Sequence, residues 1–281
     1  MAGDNILRIG NVEIMALIDA EAKAPCSMLF PAVTPEQWSA HSEYLVDDCR
    51  NMQMTIPTFV VRSGGKTIVI DTGIGAKNRT AFPNGRLPDA LAEAGVRPED
   101  VDVVMATHIH IDHVGWHTVA QGDGFVPLFP NATHVFHRPE YEFFTQDPQA
   151  SKLPWVPDCI LPLEGKVEIS LVDGEHHLTD DLTLMPTPGH TPGHVAFAFG
   201  RGRDDAVFSG DLMHSPLQAR YPELSAKFDV DQAQAATTRR GFLERYCDTD
   251  TLCCTAHFPS PSAGKIRRWG DGFRCESVAA N

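Results

Sequence analysis

The most informative part of the chain is Thr107-His108-Ile109-His110-Ile111-Asp112-His113-Val114-Gly115, which places three imidazoles and one carboxylate within six consecutive positions. Imidazole and carboxylate groups are the usual protein ligands of zinc and related divalent metals. In an extended chain His108 and His110 point to the same side, because side chains alternate along a strand. Asp112 and His113 are adjacent and point in different directions, so a turn there can supply a second ion. A His-rich surface loop is the alternative, but it does not explain this density of ligand types.

Two ions need further ligands, because each ion takes roughly four protein or solvent ligands. Later candidates each follow an apolar run that is typical of a β-strand, and Asp71 follows such a run earlier in the chain. The later candidates are His190 in a Gly/Pro-rich turn, Asp211 after Ser209-Gly210, and His257 after Ala256. The Asp211 carboxylate is able to bridge two ions. Proteins with α/β folds build their sites just past the carboxyl ends of strands, so we expect these residues to belong to one site.

On these residues the sequence resembles the metallo-β-lactamase superfamily, and specifically its binuclear hydrolases. The HxHxDH signature of that family is complete, and the later metal positions are matched in the same order. The resemblance implies two divalent metal ions, with Zn²⁺ expected and iron or manganese as alternatives. It assigns one ion to His108, His110, His190 and Asp211, and the other to Asp112, His113, Asp211 and His257, with Asp211 and a hydroxide bridging.

Other residues near these motifs receive more specific predictions. Asp71 is expected to orient a ligand imidazole, as carboxylates beside metal sites commonly do. Asp112 is predicted to be catalytic as well as a ligand, by passing a proton to the leaving group. His214 lies three positions after Asp211, where some lactonases of the family carry a tyrosine that touches the substrate oxygen. We predict a catalytic role for His214, with a structural role as the alternative, and for His194 we expect a structural role at a strand end.

The order of predicted elements fits an α+β fold, the αββα sandwich of the metallo-β-lactamase type, with helices outside and the metals at one edge. Strand-like runs on both sides of Gly10-Asn11 and of Gly64-Gly65 predict two hairpins. Helical spacing begins at Leu87 and stops at Gly95. A second, longer helix is predicted over Val230 to Tyr246.

The chain has 281 residues and no evident linker, so we expect a single domain over residues 1–281. Residues 20–55, which contain several prolines and methionines, look like an inserted segment. Three interpretations stay open for it: a lid over the site, an arm that reaches across a homodimer, or a packed loop. An apolar pocket is expected beside the metals, and its candidate lining residues are Phe30, Trp38, Met52, Met54 and Leu217.

Composition excludes several classes of partner. The hydrophobic fraction is 42%, but no apolar run approaches the roughly 20 residues that span a bilayer, so no membrane partner is expected. The net charge of −14 argues against a nucleic-acid surface. Seven cysteines without a CxxC pair favour reduced core thiols and a cytoplasmic protein. The first five residues do not resemble the start of a signal peptide.

A pair of cations predicts hydrolytic chemistry on a small-molecule substrate. Metal binding lowers the pKa of water from roughly 15.7 toward about 7, and it polarises a carbonyl or phosphoryl oxygen. The absence of a Gly-x-Ser-x-Gly motif agrees with direct attack by a metal-bridging hydroxide. The chain looks most like the branch with methyl parathion hydrolase and the larger lactonases, so an ester, lactone or phosphotriester is the expected substrate. The alternatives are a glyoxalase II-like thioesterase, an iron-dependent oxidoreductase and a non-catalytic metal-binding protein.

Overall fold

The computed structural model describes residues 6–47, 51–77, 83–259 and 262–277. Strands account for most of the regular structure in this part of the chain. They are β1 (Ile6–Ile9), β2 (Val12–Pro25), β3 (Leu45–Val46), β4 (Asn51–Ser63), β5 (Lys66–Ile70), β6 (Val103–Met105), β7 (Thr118–Gln121), β8 (Gly124–Pro127), β9 (Thr133–His137), β10 (Ile169–Val172), β11 (His176–Thr179), β12 (Leu182–Pro186), β13 (Val195–Phe199), β14 (Ala206–Phe208), β15 (Leu252–Cys254), β16 (Ala263–Trp269) and β17 (Gly272–Ser277).

The helices are fewer and mostly short, and several single turns of other helical types connect the elements. The α-helices are α1 (Cys26–Leu29), α2 (Pro35–Ser39), α3 (Leu87–Glu93), α4 (Ile111–Val114), α5 (Arg138–Gln146), α6 (Pro216–Arg220) and α7 (Gln232–Tyr246). None of the described helices has the length and apolar character that crossing a bilayer requires.

The strands form two large sheets and one small hairpin. The first sheet has the order β1-β2-β4-β5-β6-β9-β10, with β3 beside β4, and the second runs from β11 to β17 in chain order. Parallel pairing joins β5 to β6, β6 to β9, β9 to β10, and β14 to β15. Parallel neighbours have their carboxyl ends at the same edge of a sheet. The segments that follow β5, β6, β14 and β15 carry predicted site residues, and this topology therefore brings them together within each sheet.

An apolar core fills the space between the two sheets. Phe59 of β4 and Phe208 of β14 meet there, with ring centroids 4.2 Å apart. The side chains of strand β13 alternate between the core that separates the two sheets and the outer face of the second sheet. Phe197 points into the core between the sheets, whereas Ala196 and Ala198 pack on the opposite face of the second sheet. A strand buried on both faces explains the unbroken apolar run Val195–Phe199.

Helices cover the outer faces of both sheets. Leu87 and Leu91 of α3 pack on the first sheet, and Phe242 and Leu243 of α7 pack on the second. The predicted αββα sandwich is therefore confirmed. The long helix begins two residues later than predicted, because the side chain of Asp231 accepts a hydrogen bond from the backbone of the first turn and caps the helix there.

The two predicted hairpins are present, but the segment 20–55 differs from its prediction at both ends. Strands β2 and β4 stay paired as far as Pro25 and Asn51, so residues 20–25 and 51–55 belong to the first sheet. The excursion between them contains α1 and α2, and its residues 48–50 lie outside the described part. Phe30 and Trp38 of this excursion pack in a buried cluster with Leu217. The lid, the dimer arm and the single domain over 1–281 stay predictions.

Candidate metal centre

All seven predicted metal ligands meet at one end of the sandwich. The segment after β6 provides the HxHxDH residues, and its second half forms the short helix α4. The turn between β12 and β13 provides His190, the turn after β14 provides Asp211, and the segment after β15 provides His257. The donor atoms form two groups: His108, His110, His190 and Asp211 in the first cluster, and Asp112, His113 and His257 in the second cluster.

The first cluster is compact and mostly buried. Its four donor atoms all lie within 4.8 Å of one another. Nδ1 of His110 is 3.0 Å from Nε2 of His108 and 3.0 Å from Nε2 of His190. Oδ2 of Asp211 lies 3.7 Å from His108 Nε2 and 3.4 Å from His190 Nε2. Three imidazoles and one carboxylate at these distances match the number and kind of ligands that a divalent transition metal takes.

The second cluster lies on the other side of Asp211. Oδ2 of Asp112 is 3.5 Å from Nε2 of His257 and 3.9 Å from Nε2 of His113. Oδ1 of Asp211 lies 3.2 Å from His113 Nε2 and 3.1 Å from His257 Nε2. The two carboxylate oxygens of Asp211 thus face different clusters. This arrangement suits a carboxylate that bridges two cations.

Two buried polar atoms indicate that cations fit these clusters. Nε2 of His113 and Oδ1 of Asp211 are close together, but their geometry makes no hydrogen bond, and neither atom has another hydrogen-bond partner. A buried polar atom without a partner costs free energy, and a coordinated cation would satisfy both atoms. Burial also lowers the pKa of His108 and His110 well below its usual range. Both imidazoles are therefore neutral, which is the form that binds metal.

Charge in the second cluster favours a positive group. Burial lowers the pKa of His113 and His257, but the nearby carboxylates, Asp211 foremost, together outweigh this effect and raise the pKa of both. Burial correspondingly raises the pKa of Asp211, yet the imidazoles of His257 and His113 hold it well below its usual range. Protons and metal cations compete for these nitrogen atoms. The second cluster thus attracts a cation, and acid weakens that attraction.

Hydrogen bonds at Nδ1 orient the imidazoles that present Nε2 to the clusters. His113 donates from Nδ1 to Asp71 over 2.7 Å, as the sequence predicted for this aspartate. His257 donates to the carbonyl oxygen of Thr55 over 3.0 Å, and His190 donates to Asp229 over 2.8 Å. Each bond keeps a proton on Nδ1, so Nε2 is the nitrogen that binds a metal once any proton there is displaced.

The Asp71 backbone itself has an uncommon conformation. Its φ angle is 55°, in the left-handed region that aspartate tolerates better than most residues. This conformation follows directly on β5 and turns the carboxylate toward Thr107, which donates to it from its backbone and its hydroxyl. Asp71 therefore fixes both an imidazole and the start of the HxHxDH segment.

His194 lies beneath Asp211. Its Nε2 accepts a hydrogen bond from the backbone of Asp211 over 3.0 Å, and its Nδ1 contacts Thr187. Gly210 makes this approach possible, because it has a φ angle of 52° and a Cβ there would lie 2.7 Å from His194 Nε2. The structural role expected for His194 agrees with these contacts.

His214 faces the metal centre, where the prediction of a catalytic role requires it. Its Nε2 lies 3.2 Å from Oδ2 of Asp211, and its ring stacks on His257 with centroids 5.7 Å apart. Nδ1 of His214 is buried and has no hydrogen-bond partner. The imidazole thus keeps hydrogen-bonding capacity beside the two clusters.

A cavity of about 230 Å³ opens onto both clusters. His214 lines it together with Asp112 and other cluster residues, and the rest of its wall is apolar. The apolar lining residues are Met28, Leu29, Met54, Ile74, Ile111, Trp155 and Phe228. An apolar pocket was expected, but most of the residues proposed for it were wrong. Only Met54 lines the cavity; Phe30, Trp38, Met52 and Leu217 fill the buried cluster that packs under the 26–47 excursion.

Sequence reasoning missed two buried carboxylates that support the site. Asp229 binds His190 and is itself paired with Arg239. Glu140, in α5, accepts three hydrogen bonds, although burial still raises its pKa to about 7. Neither residue stands in a metal-binding motif, and each is brought to the site only by the fold. No local sequence pattern distinguishes Glu140 from an ordinary acid in the first turn of a helix, or Asp229 from an ordinary loop aspartate.

Comparison with known proteins agrees with this geometry. The sequence profile of the Metallo-beta-lactamase superfamily matches residues 54–257. An N-acyl homoserine lactonase from Bacillus sp is 29% identical over an alignment of 144 residues, which covers 45% of this chain and 51% of that protein. The chain thus spans about half the length of this curated relative.

Two solved structures resemble the whole chain. AidC, a dizinc quorum-quenching lactonase, has a TM-score of 0.86 at 22% identity, covering 99% of this chain and 100% of that one. The hydrolase AbOPH of the beta lactamase superfamily has a TM-score of 0.84 at 25% identity, covering 100% and 99%. The similarity to AidC concerns the fold, whereas the profile match covers the sequence from Met54 to His257. The chain belongs to the metallo-beta-lactamase superfamily.

Proposed function

We propose that the chain is a metal-dependent hydrolase that opens the ring of N-acyl homoserine lactones. The observation that carries this proposal is the position of Asp211, whose two oxygens face two separate groups of imidazoles. The lactonase activity named for the Bacillus relative supports a lactone as the substrate. The mainly apolar cavity beside the clusters suits the acyl chain of such a lactone.

The residues of the two clusters would hold two divalent cations, and Zn²⁺ is the expected metal. His108, His110, His190 and Asp211 would hold one, and Asp112, His113, Asp211 and His257 would hold the other. When bound, such cations supply a water of lowered pKa and polarise the carbonyl oxygen of the substrate.

The chain's own residues position the lactone and transfer the proton that the leaving group needs. Met28, Leu29 and Phe228 line the cavity and provide apolar contact for the acyl chain. Ring opening adds the oxygen of water to the carbonyl carbon and breaks the bond from that carbon to the ring oxygen, so the leaving alkoxide must gain a proton. We assign the transfer of that proton to Asp112, because it lies in both the second cluster and the cavity wall. His214 lines the cavity beside Asp211 and would contact the substrate oxygen.

Elemental analysis tests the metal part of the proposal. Protein purified without chelator and supplied with Zn²⁺ is expected to retain two ions per chain after gel filtration. His257→Ala is expected to retain one, because it removes a donor from the second cluster only. Wild-type protein with one ion or none would contradict the two-cluster assignment.

A substrate panel tests the reaction. A pH-stat assay with N-hexanoyl homoserine lactone is expected to release one proton per lactone, and mass spectrometry is expected to show N-hexanoyl homoserine as the product. An aryl ester, a glutathione thioester and a phosphotriester are assayed as alternative substrates. A higher kcat/KM on the thioester would favour the glyoxalase II-like alternative, and a higher value on the phosphotriester would overturn the lactone assignment. Loss of lactone turnover in Asp211→Ala, with the fold retained by circular dichroism, would link the reaction to this site.

A further inference from the structure

Glu140 is a buried carboxylate close to the metal centre that belongs to neither cluster. It lies in the first turn of α5 and is 2% exposed. It does not line the cavity that opens onto the clusters. Burying an acidic side chain is costly unless hydrogen bonds compensate for the loss of water. The contacts of Glu140 show which parts of the chain provide this compensation.

The carboxylate of Glu140 joins two loops that are distant in sequence. One oxygen accepts a hydrogen bond from the backbone of Ile109 over 2.8 Å, and Ile109 stands between the ligands His108 and His110. The other oxygen accepts from the hydroxyl of Thr191 over 2.7 Å and from the backbone of Gly193 over 2.9 Å. These residues follow His190 in its turn. The two loops provide all three imidazoles of the first cluster.

Close packing leaves these loops little freedom relative to α5. A Cβ on Gly193 would lie 2.1 Å from the backbone nitrogen of Glu140, so the turn and the helix are in direct contact. His137, the residue before α5, donates from Nδ1 to the carbonyl oxygen of Gly193 over 2.8 Å. The contact between His110 and His190 spans 80 residues of sequence. Glu140 provides a direct link between the two loops that make this contact.

We propose that Glu140 is a positioning residue that sets the spacing of His108, His110 and His190, and thereby the cation affinity and coordination geometry of the first cluster. It acts through the backbone of the ligand loops and does not touch the substrate. This inference rests on the metal binding proposed above. The inference goes beyond the proposed metal binding because it gives one side chain, which lies outside both clusters, control over the geometry of the first cluster only.

Glu140→Gln in the full chain is the principal test, with Glu142→Gln as the matched control. Glutamine keeps the size of the side chain but has one acceptor oxygen, so it cannot serve both loops. Glu142 lies on the same helix with an exposed side chain.

The protein is titrated with Co²⁺ against a competing chelator, and its visible absorption spectrum is recorded at each ratio of Co²⁺ to protein. We expect one of the two Co²⁺ ions to bind about 10–100-fold more weakly in Glu140→Gln and to show an altered spectrum. The other ion and the control variant are expected to behave like wild type.

Thr191→Val provides a second variant in case Glu140→Gln fails to fold. It removes one hydrogen bond and leaves the carboxylate bonded to Gly193, so a smaller loss of affinity at the same ion is expected. Wild-type affinities and spectra for both ions in every folded variant would overturn the inference while leaving the proposed function in place. Equal weakening of both ions would also overturn it, since that result indicates a general loss of stability. If wild-type protein itself binds fewer than two Co²⁺ ions, the proposed function fails, and the inference fails with it.

Discussion

Asp211 is the residue on which the two clusters depend, because its oxygens lie within 3.1–3.4 Å of imidazole nitrogens from both. His214 approaches the same carboxylate from the cavity side. The sequence placed His214 near the metals by its distance from Asp211 alone. The fold adds that its ring stacks on a cluster residue and keeps one buried nitrogen without a partner. A residue in this position can act on the substrate without being a metal ligand.

His214→Ala is therefore expected to reduce kcat on the best lactone by about 10²–10⁴-fold, the usual contribution of a positioned acid or base. Metal content and melting temperature are expected to stay unchanged, and both are measured on the same preparation. His177→Ala, an exposed change on β11, controls for the loss of one histidine. Wild-type kinetics in His214→Ala would assign His214 to a structural role.

The metal ligands were predictable from the sequence because their residue types are concentrated locally. Four cluster residues stand within six positions, and the other three follow apolar runs that end at the same side of the fold. Supporting residues were missed because their contacts exist only after folding. Asp229 reaches a ligand 39 residues away, and Glu140 reaches a ligand loop 31 residues away. The pocket was mostly mispredicted because apolar side chains without a period do not reveal which cavity they face.

Strands β2 and β4 show why part of the first sheet was predicted to be an inserted segment. In residues 20–25 the side chains of Ala20, Ala22 and Ala24 are buried, and those of Glu21 and Lys23 are exposed. This is the alternation of a half-buried strand. Alanine, glutamate, lysine and proline are all depleted in strands, so composition concealed the pattern. The alternation of alanine with charged residues correctly indicates a strand here, whereas the strand propensities of these residues do not.

Helix α7 stabilises the loop that contains Asp229, the residue that binds His190. Arg239 of this helix, which is fully buried, donates to the carbonyl oxygens of Leu212 and Pro222 and pairs with Asp229 over 3.3 Å.

Arg239→Leu is expected to lower the free energy of unfolding by about 3–5 kcal/mol, because it leaves a buried carboxylate without its cation. Urea unfolding followed by circular dichroism measures this change. Arg240→Leu on the same helix removes a partly exposed pair with Glu223 and is expected to cost less than about 1 kcal/mol. Equal losses in the two variants would contradict the role of Arg239.

The loop before α7 also contributes to the cavity. Phe228 lines it and is 47% exposed, and the backbone N–H of the neighbouring Lys227 donates to the carbonyl oxygen of Leu29, another lining residue, over 2.8 Å. Phe228→Ala is expected to raise KM for a decanoyl lactone by roughly 5-fold, equivalent to about 1 kcal/mol of lost apolar contact, with little effect on a butanoyl lactone. Steady-state kinetics on both substrates measure the difference. Val230→Ala, an exposed change in the same loop, serves as the control. An equal effect on both chain lengths would show that Phe228 does not contact the acyl chain.

At the scale of the whole molecule, buried histidines make stability depend on pH. Burial lowers the pKa of His134 from 6.5 to about 4, so the folded chain resists a proton that the unfolded chain accepts. The corresponding stability is fully present above pH 6.5 and is lost as pH falls from 6.5 to about 4. The shift corresponds to about 3 kcal/mol. His134 lies on β9 of the first sheet, outside both clusters, and this effect is therefore separate from metal release.

His134→Leu is expected to flatten the pH dependence of stability. Urea unfolding of chelator-treated protein at pH 7.0 and pH 4.5 gives two free energies for each variant. Their difference is expected to be smaller in His134→Leu than in wild type by about 2–3 kcal/mol. His177→Leu is expected to keep the wild-type difference. An unchanged difference in His134→Leu would mean that other groups account for the acid sensitivity.

The distance along the chain between the two clusters has a consequence for newly made protein. The second cluster is closed by His257, which binds the carbonyl oxygen of Thr55, 202 residues earlier. The first cluster is complete once Asp211 has been synthesised, whereas the second must wait for residue 257. At about 5–20 residues per second, ribosomes need roughly two to nine seconds for that interval. A nascent chain thus passes through a stage at which the first set of donors is complete and the second still lacks His257. The direction of translation gives the first cluster the earlier opportunity to capture a metal ion.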